Sequence, residues 1–244
     1  MFRSAIGTNH MVSCDVFDTI LHRDMRAEGS RFESVARLAA SRLRSELGVE
    51  RSVKAVLRAR MAAHRSAYRA LDQVDPTGEV RFDTIVTAMV LLLGLDLAAA
   101  SVLEGAEIAV ETAQLRPNKS LLKWLKAQAD LGRRIIAVSD TWHTRETILA
   151  LLEHVAPGHP IAEVYTSADQ NATKRTGTLF KYVVRAEGKQ PHQILHIGDD
   201  PIADLAMARA AGLRCKSIPR AGYMRWGRKI DAVQFRISHP SLSV

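Results

Sequence analysis

From Arg116 onward the chain alternates between short, apolar, β-prone runs and helix-length segments, and this rhythm constrains the fold more than any other feature. The order is helix Leu121–Asp130, strand Arg133–Val138, helix Arg145–His154 and strand Ala162–Thr166. Helix Leu179–Glu187, strand Gln193–Ile197, helix Asp200–Ala211 and strand Arg214–Ile218 follow. Parallel strands need a crossover between them, usually a helix, so the alternation predicts a parallel, doubly wound sheet with helices on both faces. Residues 11–17 (MVSCDVF) form another apolar run that ends in polar residues, which places it in the same sheet.

The stretch between is different. Residues 30 to about 113 are rich in Ala, Leu and Arg, hold one proline (Pro76) and carry apolar residues at helical spacing. In Phe32–Leu47, Val35, Leu38, Ala39, Leu43 and Leu47 fall along one face, with Arg37, Arg42, Arg44 and Glu46 elsewhere. Further helices are expected over about 51–71, 82–94 and 98–113. The expected architecture is a three-layer α/β core of residues 1–22 and 114–244, with residues 23–113 inserted as an all-helical cap.

Composition excludes several classes. With 47% hydrophobic and 25% charged residues, the 244-residue chain is not a disordered one. Its longest apolar run, Ile85–Leu95, is too short for the roughly 20 residues of a membrane span. The opening MFRSAIGTNHMVSCDVF lacks the apolar stretch and cleavage site of a secretory signal, and Cys14 and Cys215 build no disulfide framework. A reducing, cytoplasmic setting is expected. The net charge of +8 suits an acidic partner without choosing one.

In doubly wound sheets ligands bind at the carboxyl ends of the strands. Reactive groups gather there: Asp15, Asp18 and Thr19 after the first strand, Ser139, Asp140 and Thr141 after the second, Lys174 before a later helix, and Gly198-Asp199-Asp200 with Asp204 one turn on. Carboxylates so crowded repel one another unless a lysine or a hard cation sits among them, and magnesium is the natural occupant. Each piece alone also fits a turn or a helix cap. Four in order on one sheet edge do not.

This pattern resembles the haloacid dehalogenase-like (HAD) superfamily, whose four motifs match Asp15…Thr19, Ser139, Lys174 and Gly198-Asp199…Asp204, with Phe180 following the lysine. The long interval between Asp15 and Ser139 leaves room for a cap. SCDVFDTIL, RPN and SDTW are similar to a bacterial HAD subgroup associated with glycosyltransferases. The resemblance implies Asp15 as nucleophile and an aspartyl-phosphate intermediate. It implies a Mg²⁺ site of Asp15, the Phe17 carbonyl, Asp199 and Asp204, the last also orienting Lys174 or a metal-bound water. Ser139 and Lys174 would bind phosphoryl oxygens, and Thr19 would orient the nucleophile's loop. Asp140 and Arg23 join the substrate-binding candidates.

One position departs from the phosphatase pattern. The second aspartate, two residues after the nucleophile, is Phe17 here, and a general acid contributes about 10²–10⁴-fold. Asp18, His22 and His143 are the other proton carriers nearby. The expected activity is Mg²⁺-dependent hydrolysis of a small phosphorylated metabolite such as a sugar phosphate. The alternatives are a non-catalytic protein that binds a phosphorylated ligand or regulates a partner, and, third, a haloacid dehalogenase.

Two basic stretches complete the reading. Residues 51–70 carry six Lys or Arg and no acid, which fits a solvated helix face. Arg214–Ile230 carries six more, with Tyr223 and Trp226 interleaved, as a segment packing back or fraying after the last strand. Nucleic acid and membrane are not the expected partners. Cys14 reads as a small core residue.

Overall fold

The computed structural model describes residues 10–242; residues 1–9, which open the segment weighed as a secretory signal, lie outside them. Strands β1 (Met11–Cys14) and β2 (Leu21–Arg23) precede helices α1 (Glu28–Leu47), α2 (Val53–Val74), α3 (Phe82–Leu93) and α4 (Ala99–Gln114). Then come β3 (Leu115–Pro117), α5 (Lys119–Asp130), β4 (Ile135–Ser139), α6 (Arg145–Val155), β5 (Glu163–Thr166), α7 (Ser167–Gln170) and α8 (Thr178–Ala186). Strand β6 (Ile194–Gly198), a wide π-helical turn (Pro201–Ala206) running into α9 (Met207–Ala210), β7 (Arg214–Ser217) and α10 (Gly222–Ser238) follow. Among the described residues no helix is long and apolar enough to cross a membrane.

The chain divides into two compact units. The first comprises residues up to 23, Asp75–Glu79 and Arg116–Arg220. Its five-stranded sheet is parallel throughout, in the order β5-β4-β1-β6-β7, and the helices of the alternating segment flank it. The central position of β1 explains why Met11–Cys14 is buried throughout, since a strand covered on both faces reads as continuous apolar sequence. Apolar side chains of strands and crossover helices meet beside it: Met11, Ile136, Val138 and Ile194 pack with Leu179, Phe180 and Val183 of α8. Chain order reverses at β1, from which the connections lead to β4 on one side and return to β6 on the other. That is the switch point where a crevice opens beyond the strand ends.

Register then fixes the site. Cys14 pairs with Ala137 on one side and Ile197 on the other, and Ser139 with Thr166. Asp15, Ser139 and Asp199 therefore emerge at one edge. β1 stops at Cys14, short of the expected Phe17, because the Val16 carbonyl accepts from both the Ile20 and Leu21 N–H groups at 2.9 Å and turns the chain.

The second unit comprises Asp24–Val74, Val80–Leu115 and the described residues from Ala221. α1 packs on α2 and α4, and α2 on α3. α1 ends at Gly48, whose φ of 65° is the left-handed conformation that lets its N–H return to the Arg44 carbonyl. Its interior holds an ion pair: fully buried Arg60 donates from Nε and Nη2 to Glu107 at 2.7 and 2.6 Å and stacks over Phe32. A bidentate pair of this kind satisfies a charge that burial would otherwise make very costly.

These units differ from the expected boundaries in two places. Residues 75–79 lie in the sheet-containing unit, where Asn171 accepts from the Glu79 N–H at 3.0 Å and donates to Asp75 at 2.7 Å, and Ser167 donates to Glu79 at 2.9 Å. The residues after Arg220 lie in the helical unit rather than the core. Their helix, α10, is held there by Asp231, which accepts from the Ala27 N–H at 2.7 Å, by Arg228, which donates to the Asp24 carbonyl at 3.0 Å, and by buried Phe235.

Candidate active site

The turn after β1 carries Asp15, Phe17, Asp18 and Thr19. The Asp15 N–H donates to the Ile197 carbonyl at 2.8 Å, extending the parallel ladder by one bond and fixing the carboxylate at the strand end. Asn118 staples the far side of the turn. Its Nδ2 donates to the Thr19 carbonyl at 2.9 Å, its N–H to the Ile20 carbonyl at 2.8 Å, and its Oδ1 caps α5 by accepting from the Leu121 N–H. Asn118 belongs to the RPN segment, so that segment's local task is to hold the Asp15 loop.

Lys174 Nζ lies 2.6 Å from Asp15 Oδ1 and 2.6 Å from Asp204 Oδ1, and all three side chains are buried. Asp140 positions the lysine: its two oxygens accept from the Lys174 and Arg175 N–H groups at 2.6 and 3.2 Å. Asp140 is thus occupied as a loop clamp. Asp204 is brought in by the π turn, which Asp200 caps by accepting from the Ile202 and Ala203 N–H groups. The Asp204 carboxylate also accepts from the Asp200 N–H at 3.0 Å and lies 3.2 Å from His196 Nε2. Such a turn needs Gly198, because a Cβ there would lie 2.2 Å from Asp204 Cγ.

Two participants escape a reading of the sequence. His196, in the middle of β6, bridges Ser13 Oγ at 2.9 Å and Asp204 at 3.2 Å, completing a buried polar chain from Ser13 to Asp15. A histidine inside the apolar run QILHI is the only signal it leaves. Arg220, three residues beyond β7, hydrogen-bonds Asp199 through Nε and lies 3.4 Å from Asp18 Oδ2. Nothing local in a basic stretch distinguishes it.

The remaining expected residues stand as follows. Thr19 is fully buried and its hydroxyl donates to Asp199 Oδ1 at 3.4 Å. Asp18 accepts from the Arg23 N–H at 3.1 Å in addition to its Arg220 contact. The Arg23 guanidinium stacks over the Phe17 ring, 3.6 Å from its centroid. Ser139 Oγ is buried and has no hydrogen-bond partner among the described residues, a cost a protein accepts where a ligand will supply the bond. His143 is buried beside Trp142, and His22 is half-buried.

Electrostatics follow from burial and pairing. Burial pushes the Asp15 carboxyl up to about 7, with Lys174 pulling it down and Asp204 adding to the rise. Burial also lifts Asp204, but Lys174 and His196 outweigh it and hold that carboxyl below the usual range. Lys174 is opposed by burial and carried above the ordinary range by Asp15, Asp204 and Asp140. Burial raises Asp199 against the pull of Arg220. It also pushes the Cys14 thiol up, which fits an inert core residue.

The donor set fits a hard divalent cation. One carboxylate oxygen from each of Asp15, Asp199 and Asp204 lies within 4.8 Å of the others. Asp15, Asp18, Asp199 and Asp204 face two cations, Lys174 and Arg220, so the ionised cluster is short of two positive charges. Each of the three is already engaged, Asp204 by Lys174 and the Asp200 N–H, Asp15 by Lys174 and Asp199 by Thr19 and Arg220, and magnesium takes one or two carboxylates.

The sequence model for haloacid dehalogenase-like hydrolase matches residues 11–212. No curated protein sequence matches the chain. Among solved structures, a 2-haloacid dehalogenase from Pseudomonas syringae pv. Tomato is similar at 18% identity and a TM-score of 0.55, over 84% of each chain. The putative HAD-hydrolase YfnB from Bacillus subtilis, bound to magnesium, is similar at 19% identity and 0.54, over 90% of this chain and 98% of that one. A HAD family enzyme from Bacteroides thetaiotaomicron gives 11% and 0.57, over 89% and 97%. At these identities the likeness is one of fold.

Proposed function

The chain belongs to the haloacid dehalogenase-like hydrolases, and from that premise we propose that it is a Mg²⁺-dependent phosphomonoester hydrolase working through an aspartyl-phosphate on Asp15. The observation that carries this reading is the Asp15 carboxylate held on Lys174 beside Asp199, next to a Ser139 hydroxyl lacking a partner.

Asp15 attacks phosphorus, forming the Asp–O–P bond as the ester oxygen leaves; water then breaks that bond and releases phosphate. Lys174 holds Oδ1 of the nucleophile and offsets charge growing on the phosphoryl oxygens. Ser139 donates to one of those oxygens. Asp140 keeps Lys174 in register, and His196 with Asp204 keeps its other side fixed. Magnesium on Asp15, Asp199 and the Phe17 carbonyl would supply the missing positive charge between anionic nucleophile and anionic substrate.

Phe17 supplies no proton, and Asp18 is engaged by Arg220 and the Arg23 N–H. Esters whose leaving oxygen departs without protonation are therefore the better substrates. A sugar phosphate, suggested by the SCDVFDTIL, RPN and SDTW segments, leaves as an alkoxide that needs a proton and should turn over more slowly than an acyl or aryl phosphate. Two unpaired cysteines suit a reducing cytoplasm. The second reading, a phosphorylated-ligand binder without turnover, is favoured by the same occupation of Asp18.

Phosphate release from a panel of aryl, acyl and sugar phosphates, with Mg²⁺ and with chelator, separates the readings. Release that needs Mg²⁺ and vanishes in Asp15→Asn is the expected result. Ligand binding without release by folded wild-type protein would establish the second reading instead.

A further inference from the structure

Arg220 is a charged group at this edge that the chemistry leaves without a part. The four carboxylates divide between two cations. Lys174 takes Asp15 and Asp204, while Arg220 takes Asp199 and approaches Asp18. The two cations differ in their access to water: the Lys174 side chain is 3% exposed, and that of Arg220 is 36% exposed. A buried ammonium between two carboxylates cannot leave without stranding charge, whereas a guanidinium open to solvent swings out and is rehydrated. Arg220 also sits on a carboxylate that a divalent ion needs. A divalent ion brought onto the Asp199 carboxylate meets the guanidinium on Oδ2 and the Thr19 hydroxyl on Oδ1, and its repulsion from the guanidinium is about twice that of two unit charges at the same distance.

We propose that Arg220 competes with the metal for Asp199, so that a divalent ion binds only by displacing the guanidinium. This rests on the reading of Asp15 and Asp199 as metal carboxylates. Two further observations support a built device. Asp18 adopts a φ of 62°, a conformation that residues with a side chain seldom take, and its carboxylate is turned onto Arg220 and the Arg23 N–H. The backbone leading to Arg220 is tied down two residues earlier, where the Ile218 N–H donates to the Gly198 carbonyl at 2.9 Å beside Asp199. Arg220 thus has a fixed root, a second carboxylate on which to rest, and a route to water. The consequence is a metal site of moderated affinity.

Calorimetric titration of magnesium chloride into the full-length protein and its variants tests this without any turnover. Arg220→Gln should bind Mg²⁺ about tenfold tighter than wild type, the worth of one partly exposed, charge-assisted contact, with Arg220→Lys in between. Arg175→Gln removes another exposed cation, 3.9 Å from Asp200, and should change affinity less than about twofold. The Arg220 Nε–H resonance should move with the midpoint of the heat signal. Equal or weaker binding by Arg220→Gln, where wild type binds and Asp199→Asn does not, overturns the proposal. So does equal tightening by Arg175→Gln, which would make the effect one of net charge. If neither wild type nor Arg220→Gln takes up Mg²⁺ while both are folded by circular dichroism, the metal reading itself fails and the proposal falls with it.

Discussion

In the presence of chelator, replacing Asp15 by asparagine should stabilise the protein, and increasingly so as pH rises from about 4 to about 7. Asp15 is 7% exposed, and its carboxyl is raised from the ordinary 3.8 to about 7, first by burial and further by Asp204. An acid whose pKa is raised by folding binds its proton more tightly in the native state. Its ionisation therefore costs stability that is absent below the ordinary value and fully felt above the raised one. At about 1.4 kcal/mol per pH unit, the cost reaches on the order of 4 kcal/mol above pH 7. Asparagine removes that cost, and the pull of Lys174 on the ionised carboxylate is already contained in the net rise. The net expectation is a gain on the order of 4 kcal/mol near pH 8 that shrinks toward pH 5. Asp204 has the opposite sign: held low by Lys174 and His196 against burial, it contributes stability above about pH 4 that is lost on acidification, in both proteins alike. Urea unfolding followed by circular dichroism across pH 5–8, in chelator, measures the difference. A variant less stable than wild type near pH 8, or a difference indifferent to pH, would refute the reasoning.

Other substitutions probe separate parts. Ser139→Ala should leave stability within about 1 kcal/mol of wild type, since no protein bond is lost, yet weaken vanadate binding measured by calorimetry. Glu107→Gln leaves the buried Arg60 guanidinium without its counter-charge and should cost about 3–5 kcal/mol in urea unfolding, with the sheet-containing site's vanadate affinity unchanged in the folded fraction. Gly198→Ala drives a Cβ into Asp204, so the thermal midpoint should fall and vanadate binding should be lost.

How far the sequence speaks for this molecule depends on whether a feature is local. Alternating strands and helices announce themselves through period and apolar runs, and three of the four motif segments fall at strand ends, with Lys174 in the loop before α8. The 75–79 return is different: its place is fixed by hydrogen bonds to Ser167 and Asn171, partners far along the chain. α10 looks in sequence like a basic tail with two aromatic residues. Its buried face is a single Phe235, assisted by Asp231 and Arg228 bonding the chain near Ala27, so little apolar periodicity marks it as anchored. The same holds at the site. Asp15, Lys174 and Asp199 are legible because motif spacing carries them, whereas His196 and Arg220 become visible only when β6 is laid beside β1 and the chain beyond β7 returns over Asp199. Asp140 has a site-like position but spends both oxygens on backbone, which spacing cannot reveal.

The central claim is that Asp15 becomes covalently phosphorylated. Its most direct measurement is peptide mass spectrometry of protein mixed with an acyl or aryl phosphate and Mg²⁺ and quenched in acid within the turnover time. The account predicts one added phosphoryl group on the peptide containing Asp15, removed by hydroxylamine and absent from Asp15→Asn. Phosphate release by wild type with no modification at Asp15 at any quench time, or a phosphoryl group found on another residue, would contradict it.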